Sequence, residues 1–446
     1  MAQVDDFTAL LFGSTVGGEI GESVFLTFSF PDQAPDYWIA NATAEQIASF
    51  EPFTDAEKAM ARSAIAELED QIGITFYEAR AGSGDMQLLK FEVDLFQVEE
   101  EADAFAQLPA GGSGRLIASD IVFDTEYGAN PYLLRHEIGD TLGLKHGREG
   151  ETVFTPESDV SANTVLSSQY DYQFSGSFGP FDIEALQYLY GDGSNDGTHV
   201  DSWSWDAENF VLTQNGGEAG ETIIGVGVDD VIDGGGGDDT LAGGLGDDLL
   251  LGGAGNDRLL GGVDSDTIEG GDGDDMIVLL PVAGALSFNI DGGSGTDTLI
   301  VNANEQFLGD GFSISDAISN GAQLTGIEQI EYRAAEFRPF SIEGSGGAET
   351  FFGNEVGVTF DGLGGDDILI AGRGYQEFYG GSGADTFIFG TVASFPRPTS
   401  FDEYADQIED FESGIDMIDL SAIGTVGRRG RSGWRSLPRV WHGCER

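Results

Sequence analysis

From Gly216 onward the chain repeats with a period of nine residues, and few backbones can satisfy such a period. The unit Gly234-Gly235-Gly236-Gly237-Asp238-Asp239-Thr240-Leu241-Ala242 has the form G-G-x-G-x-D-x-U-x, where U is a large apolar residue. Units in the same phase begin at Gly243, Gly252, Gly261 and Gly270, and two weaker ones precede them at Gly216 and Gly225. Asp230, Asp239, Asp248, Asp257, Asp266 and Asp275 hold the sixth position; Ile232, Leu241, Leu250, Leu259, Ile268 and Ile277 hold the eighth. Glycines turn the chain tightly, and the turn carbonyls with the Asp oxygens form hard oxygen cages suited to calcium. The apolar eighth residue points inward from a short strand, so stacked coils build an all-β parallel β-roll.

Gly292 to Ile300 carries an isolated repeat with Asp297 in the sixth position. A more degenerate array runs in phase from Gly344, and its good copies at Gly362 and Gly380 place Asp367 and Asp385 there as further calcium ligands. Within 216–278 only Arg258 is positive, so the aspartates repel until calcium fills the cages, and the array is expected to unfold without the ion. The 446 residues carry a formal charge of −60, which excludes nucleic acid and anionic membranes as partners. No apolar run is long enough to span a bilayer. Cys444 is the one cysteine, so no internal disulfide forms, and calcium can staple a secreted chain instead. The start, Met1-Ala2-Gln3-Val4-Asp5-Asp6, lacks the basic and apolar segments of a signal peptide, so export is expected to need no N-terminal signal.

A second constraint lies upstream, in His136-Glu137-Ile138-Gly139-Asp140-Thr141-Leu142-Gly143-Leu144-Lys145-His146. Asn130-Pro131 reads as an N-cap followed by Pro at the first helical position. Leu134, Ile138 and Leu142 recur at four-residue spacing and give the helix an apolar face. His136 and Asp140, four apart, share another face and can converge on one metal ion. Glu137 stands beside them, where a carboxylate can take a proton from an activated water. Gly143 lets the chain leave the helix with positive φ, and His146 can then swing back toward the ion.

This segment resembles the H-E-x-x-H-x-x-G-x-x-H zinc motif of the metzincin metalloproteases. The surrounding chain resembles their serralysin branch, secreted bacterial endopeptidases that carry RTX calcium-binding repeats. The resemblance implies zinc held by His136, Asp140 and His146, with Glu137 as the catalytic base. Asp140 stands where the family has its second zinc-binding histidine. An Asp oxygen reaches about 2 Å less far than a histidine Nε2, against a tolerance of roughly 0.2 Å. Either the helix shifts, or a water bridges, or the ion is held by two histidines; the bland alternative is a decayed site in which His136 and Asp140 hydrogen-bond. Asn163-Thr164-Val165-Leu166-Ser167-Ser168 resembles the family's Met-turn, with Leu166 at the methionine position and Ser168 in place of a tyrosine. Leu for Met keeps the apolar volume, whereas Ser168 removes a phenol for which Tyr170 is a candidate substitute.

In chain order, Val24 to Phe30 alternates and reads as a strand, and Thr54-Asp55-Ala56-Glu57 has capping-box form and opens a helix through Met60, Ile65, Leu68 and Ile72. Ile74 to Tyr77, Leu88 to Val93 and Leu116 to Phe123 read as further strands, and Phe181 to Gly191 as a capped helix. The expected architecture is a metzincin-like α/β (α+β) catalytic domain over 1–190, a connection over 191–215 and a calcium-binding roll over 216–389, with arrays at 216–278 and 344–389. Residues 390–426 resemble the serralysin C-terminal segment, associated with type I secretion. A basic tail over 427–446, rich in arginine, reads as a shifted reading frame, or alternatively as a genuine tail folded over the acidic roll. The expected function is a secreted, extracellular, monomeric zinc metalloendopeptidase acting on proteins or peptides, with type I secretion machinery as partner. The alternatives are a calcium-binding pseudoprotease, inactive because of Asp140, and a structural protein built on the roll. His199 is weighed as a replacement ligand and read as part of a solvated connection.

Overall fold

The computed structural model describes residues 2–11, 20–35, 38, 42–96, 104–107, 120–167, 177–193, 200–279, 288–303, 312–313, 322–327, 329–334, 340–344, 347–352, 357–372, 375–389 and 406–419. Ser168, Tyr170, His199, most of 390–426 and the basic tail lie outside these. Among the described residues the chain is mostly β, in several sheets of parallel strands with few helices.

The N-terminal sheet has the strand order Ile74–Glu78, Val24–Ser29, Met86–Phe91, Asp120–Asp124, Ala104–Gln107. Its first four strands are parallel, and the edge strand Ala104–Gln107 runs antiparallel to Asp120–Asp124. The helix Asp55–Glu69 covers one face, opened by a reciprocal bond between Thr54 and Glu57. Ala61, Ala64, Ile65 and Leu68 from that helix join Leu26, Phe28, Leu88 and Phe123 from the sheet in one core. Sequence reading stopped at an alternating strand for Val24 to Phe30, but all six residues of Val24–Ser29 are buried. The cause is a second cover. Phe25 and Ala79 pack with Leu212, Val226, Val228, Trp203 and Trp205.

Those tryptophans belong to an antiparallel hairpin, Ser202–Asp206 with Val211–Asn215, so part of what read as a connection is sheet. Its second strand pairs in parallel with Asp230–Asp233 and starts a seven-stranded sheet. Successive nonads alternate between this sheet and a ten-stranded one, so pairing advances by eighteen residues: Leu241 lies beside Leu259, and Leu250 beside Ile268. The repeat at Gly292 is not set apart. Asn289–Ser294 pairs with Thr267–Asp272, and Thr298–Ala303 with Met276–Leu279. The ten-stranded sheet then runs on through Thr350–Phe352, Ile368–Ile370 and Thr386–Ile388 to Met417–Asp419, joining both arrays in one sheet. Eighth-position side chains fill the interior, aliphatic at first and then Phe351, Phe360, Phe378 and Phe387. Phe360 and Phe378 stack with centroids 5.9 Å apart.

Candidate metal centre

The helix that carries the site is Pro131–Thr141. Asn130 accepts from the amides of Tyr132 and Leu133, and Pro131 takes the first position, where its missing N–H costs nothing. At the other end Gly143 has φ 91°, the Leu144 amide donates to Gly139 and the Gly143 amide donates to Asp140. This is a Schellman ending, and it reverses the chain so that His146 faces back along the helix. Gly139 is the contact point beneath. A Cβ there would sit 3.6 Å from Leu144 and 3.7 Å from Leu166, so the helix rests closely on the Leu166 side chain, which is fully buried.

His136 Nδ1 lies 2.8 Å from the carbonyl oxygen of Val165. A carbonyl can only accept, so Nδ1 carries the ring proton and Nε2 presents its lone pair. The Tyr132 hydroxyl donates to the same carbonyl at 2.8 Å. Nε2 of His136 is 3.1 Å from Nε2 of His146, and Oδ2 of Asp140 is 3.6 Å from the first and 3.7 Å from the second. Asp140 therefore hydrogen-bonds neither ring, and its shorter reach does not keep it out of the group. The three atoms converge on one point. A zinc ion bonded tetrahedrally at about 2.0–2.1 Å would set its ligands roughly 3.3 Å apart, within the spread of these separations. Nδ1 of His146 faces Oε1 of Glu149 at 3.1 Å.

The electrostatics fit a cation. Burial raises the Asp140 carboxyl well above its usual range, and the charges of Glu137, Glu149 and Asp182 push it further the same way. Burial raises Glu137 to about 8 against the opposing bond from the Ala106 amide, and burial lowers His136 to about 4. Two imidazole nitrogens and a carboxylate, with acids around them, are the donor set of a borderline divalent ion.

Behind the helix Val165 is held through its amide as well. Its amide donates to Oδ2 of Asp182 at 2.9 Å, Gly179 donates to the same oxygen, and the Thr164 hydroxyl donates to Oδ1 at 2.5 Å. Sequence reasoning missed Asp182 and Glu149. The only available signals were an acid at the third position of a helix and another three residues beyond a histidine. The Val165 carbonyl and the Ala106 amide carry no residue signature at all.

The structure also places the aspartates of the roll. Oδ1 of Asp239, Asp257, Asp275, Asp248 and Asp266 accepts the amide one coil earlier, from Glu221, Asp239, Asp257, Asp230 and Asp248 respectively. Asp297 accepts from Asp275, and Asp367 and Asp385 accept from Glu349 and Asp367. Asp230 accepts from Val226 through Oδ2. One oxygen of each thus serves the stack, except that of Asp230, which closes its own turn. The other, Oδ2 of Asp239, Asp248, Asp257, Asp275, Asp367 and Asp385 and Oδ1 of Asp230, is buried with no donor among the described residues. Burial accordingly raises Asp248 to about 9, Asp266 to about 7 and Asp275 to about 6. Rows of buried acceptor oxygens without donors are what a hard cation requires. A second ladder went unread: Oδ1 of Asp229, Asp238, Asp247 and Asp274 accepts the amide one coil later.

Compared with known proteins, residues 211–429 match the family described as Peptidase M10 serralysin C terminal. The chain is serralysin-like. It is also 29% identical over 199 residues to Metalloprotease AprA of Pseudomonas entomophila (strain L48), a match covering 38% of this chain and 39% of that relative. The serralysin-like chain thus spans about two fifths of the length of the curated relative it matches. No helix among its described residues is long and apolar enough to cross a membrane.

Proposed function

We propose that this serralysin-like chain is a zinc-dependent endopeptidase, secreted and stabilised outside the cell by calcium in its roll. The convergence of His136, Asp140 and His146 beside Glu137 carries this reading. Zinc at that point would polarise a substrate carbonyl and make water a stronger acid. Glu137 holds the proton lost when water adds to the scissile carbonyl and passes it to the departing amine nitrogen. The Ala106 amide orients that carboxyl. Ala106 lies in the edge strand Ala104–Gln107, paired on one side with Asp120–Asp124. An extended peptide can add to such an edge, which favours unfolded stretches of protein as substrates. Export through type I secretion machinery and action as a monomer complete the proposal.

In the roll, calcium would be held by the second oxygens of Asp230, Asp239, Asp248, Asp257, Asp266, Asp275, Asp297, Asp367 and Asp385, together with turn carbonyls. Millimolar calcium outside a cell favours the folded roll by mass action, while low cytosolic calcium leaves it open for export.

The deciding experiment measures bound zinc and casein hydrolysis on the full chain, with and without a chelator, beside Glu137→Ala. Zinc at one per chain, chelator-sensitive hydrolysis, and loss of hydrolysis in the variant with metal retained are expected. Zinc bound with no hydrolysis of any protein substrate would sink the peptidase reading in favour of a pseudoprotease.

A further inference from the structure

We propose that Glu149 is a positioning residue for His146: it fixes the ring proton on Nδ1 and so stops the two histidines of the centre from pairing with each other. The inference rests on the metal-centre reading above and concerns what this chain does before any ion arrives.

The two Nε2 atoms lie 3.1 Å apart, within hydrogen-bond distance. Nε2 of His136 is an acceptor, because its Nδ1 proton is committed to Val165. If neutral His146 carried its own proton on Nε2, the rings would join as Nε2–H···Nε2, and a metal would have to break that bond to enter. With the proton on Nδ1 instead, two lone pairs and the Asp140 carboxylate face one point, and nothing internal to the group can satisfy them. The choice between these tautomers is made by whatever accepts from Nδ1 of His146, and Glu149 Oε1 stands there at 3.1 Å.

Glu149 is itself held for this role, although its side chain and that of His146 are half-exposed. Its amide donates to the His146 carbonyl at 2.9 Å, closing a turn between the two. Its carbonyl accepts from Lys145 Nζ, which also donates to the carbonyls of Ala9, at 2.5 Å, and Thr152, at 3.0 Å. The ammonium therefore ties the turn to the N-terminal segment and to the strand Thr152–Phe154. A fixed backbone presents the carboxylate to one ring nitrogen and no other.

The chain has four histidines, so heteronuclear NMR of selectively labelled imidazoles can read the tautomer of His146 in the metal-free full-length protein. The wild type should show the proton on Nδ1, Glu149→Ala should move it to Nε2, and Glu149→Gln should restore Nδ1 because its amide oxygen still accepts. Competition of zinc against a chromogenic chelator should show about a 10-fold weaker affinity for Glu149→Ala, with most of it recovered in Glu149→Gln. An unchanged His146 tautomer in Glu149→Ala overturns the inference, whatever the affinity does. A wild type with the proton on Nδ1 that binds no zinc overturns the metal-centre reading and leaves this inference standing.

Discussion

Asp182 and His136 hold one residue from opposite sides without touching: the Val165 amide donates to Asp182 and the Val165 carbonyl accepts from His136. The orientation of the imidazole is thereby tied to a carboxylate in the core of a different helix, Pro180–Tyr190. Burial raises Asp182 to about 6 from 3.8, although three donors oppose the shift. A folded-state pKa above the unfolded one means that the native protein keeps this proton to higher pH. Stability from this group is therefore greatest below 3.8, falls as pH rises from 3.8 to 6 and is level above that, a decline on the order of 3 kcal/mol. Asp182→Asn keeps an acceptor for both amides and has no such decline. Denaturant titrations in excess calcium should show the variant gaining on the wild type between those two pH values; parallel curves would show that Asp182 is ionised at no cost.

Asp140 offers a second test. Its Oδ2 is 3.6 and 3.7 Å from the two histidine nitrogens, placed as a ligand would be. Asp140→Asn keeps the reach and removes the charge, so zinc affinity should fall at least 10-fold, of the order seen when a metal site loses one supporting group. Competition titration checks this. Equal affinity in the two proteins would mean that the two histidines alone hold the ion.

The parts of this site that were legible in the sequence are those with a side-chain signature. Asn130-Pro131 announced the helix start, and Gly143 announced the reversal that returns His146. The period of nine announced coils whose eighth residues point inward. What stayed hidden was held by backbone groups or by packing between distant segments. The Val165 carbonyl and the Ala106 amide have no letter of their own. Trp203 and Trp205 read as a connection because their burial depends on Phe25 and Tyr77 arriving from far upstream. The sixth-position aspartates read as calcium ligands alone, yet from Asp239 onward one oxygen of each already serves the stack, as Oδ1 of Asp239 does for the Glu221 amide; that bond appears only once coils lie eighteen residues apart in register.

The close approach of Gly227 to Gly84 predicts a coupling between the roll and the N-terminal sheet. The Gly84 amide donates to the Gly227 carbonyl at 2.8 Å, and the buried Asp85 carboxyl accepts from Gly227 and, at 2.7 Å, from both the amide and the hydroxyl of Thr27. A Cβ on Gly227 would lie 2.6 Å from the backbone of Gly84 and Asp85. Gly227→Ala should pry this contact open at a cost of about 1–3 kcal/mol, the usual penalty for overpacking. Calorimetry in excess calcium should show a lowered unfolding temperature. A thermogram identical to that of the wild type would mean that the contact contributes nothing.

Asp257 separates the two duties that each sixth-position aspartate performs. Its Oδ1 accepts the Asp239 amide at 2.8 Å, while its Oδ2 is buried and without a donor among the described residues. Asp257→Asn can keep the first role through its amide oxygen, but it turns the second oxygen into an N–H₂ that repels a cation. Asp257→Ala loses both, and it leaves the Asp239 amide buried without an acceptor, which costs about 1–3 kcal/mol more. Calcium titrations followed by circular dichroism should therefore rank the proteins. The wild type should fold at the lowest calcium, Asp257→Asn should need more, and Asp257→Ala should need the most. In saturating calcium the difference between the two variants should persist, because the lost amide bond does not depend on the ion. If Asp257→Asn folds at the same calcium concentration as the wild type, Asp257 serves the stack alone and the ion is held elsewhere. If both variants are alike at every calcium concentration, the bond to Asp239 adds nothing, and binding calcium is the only duty of this carboxylate.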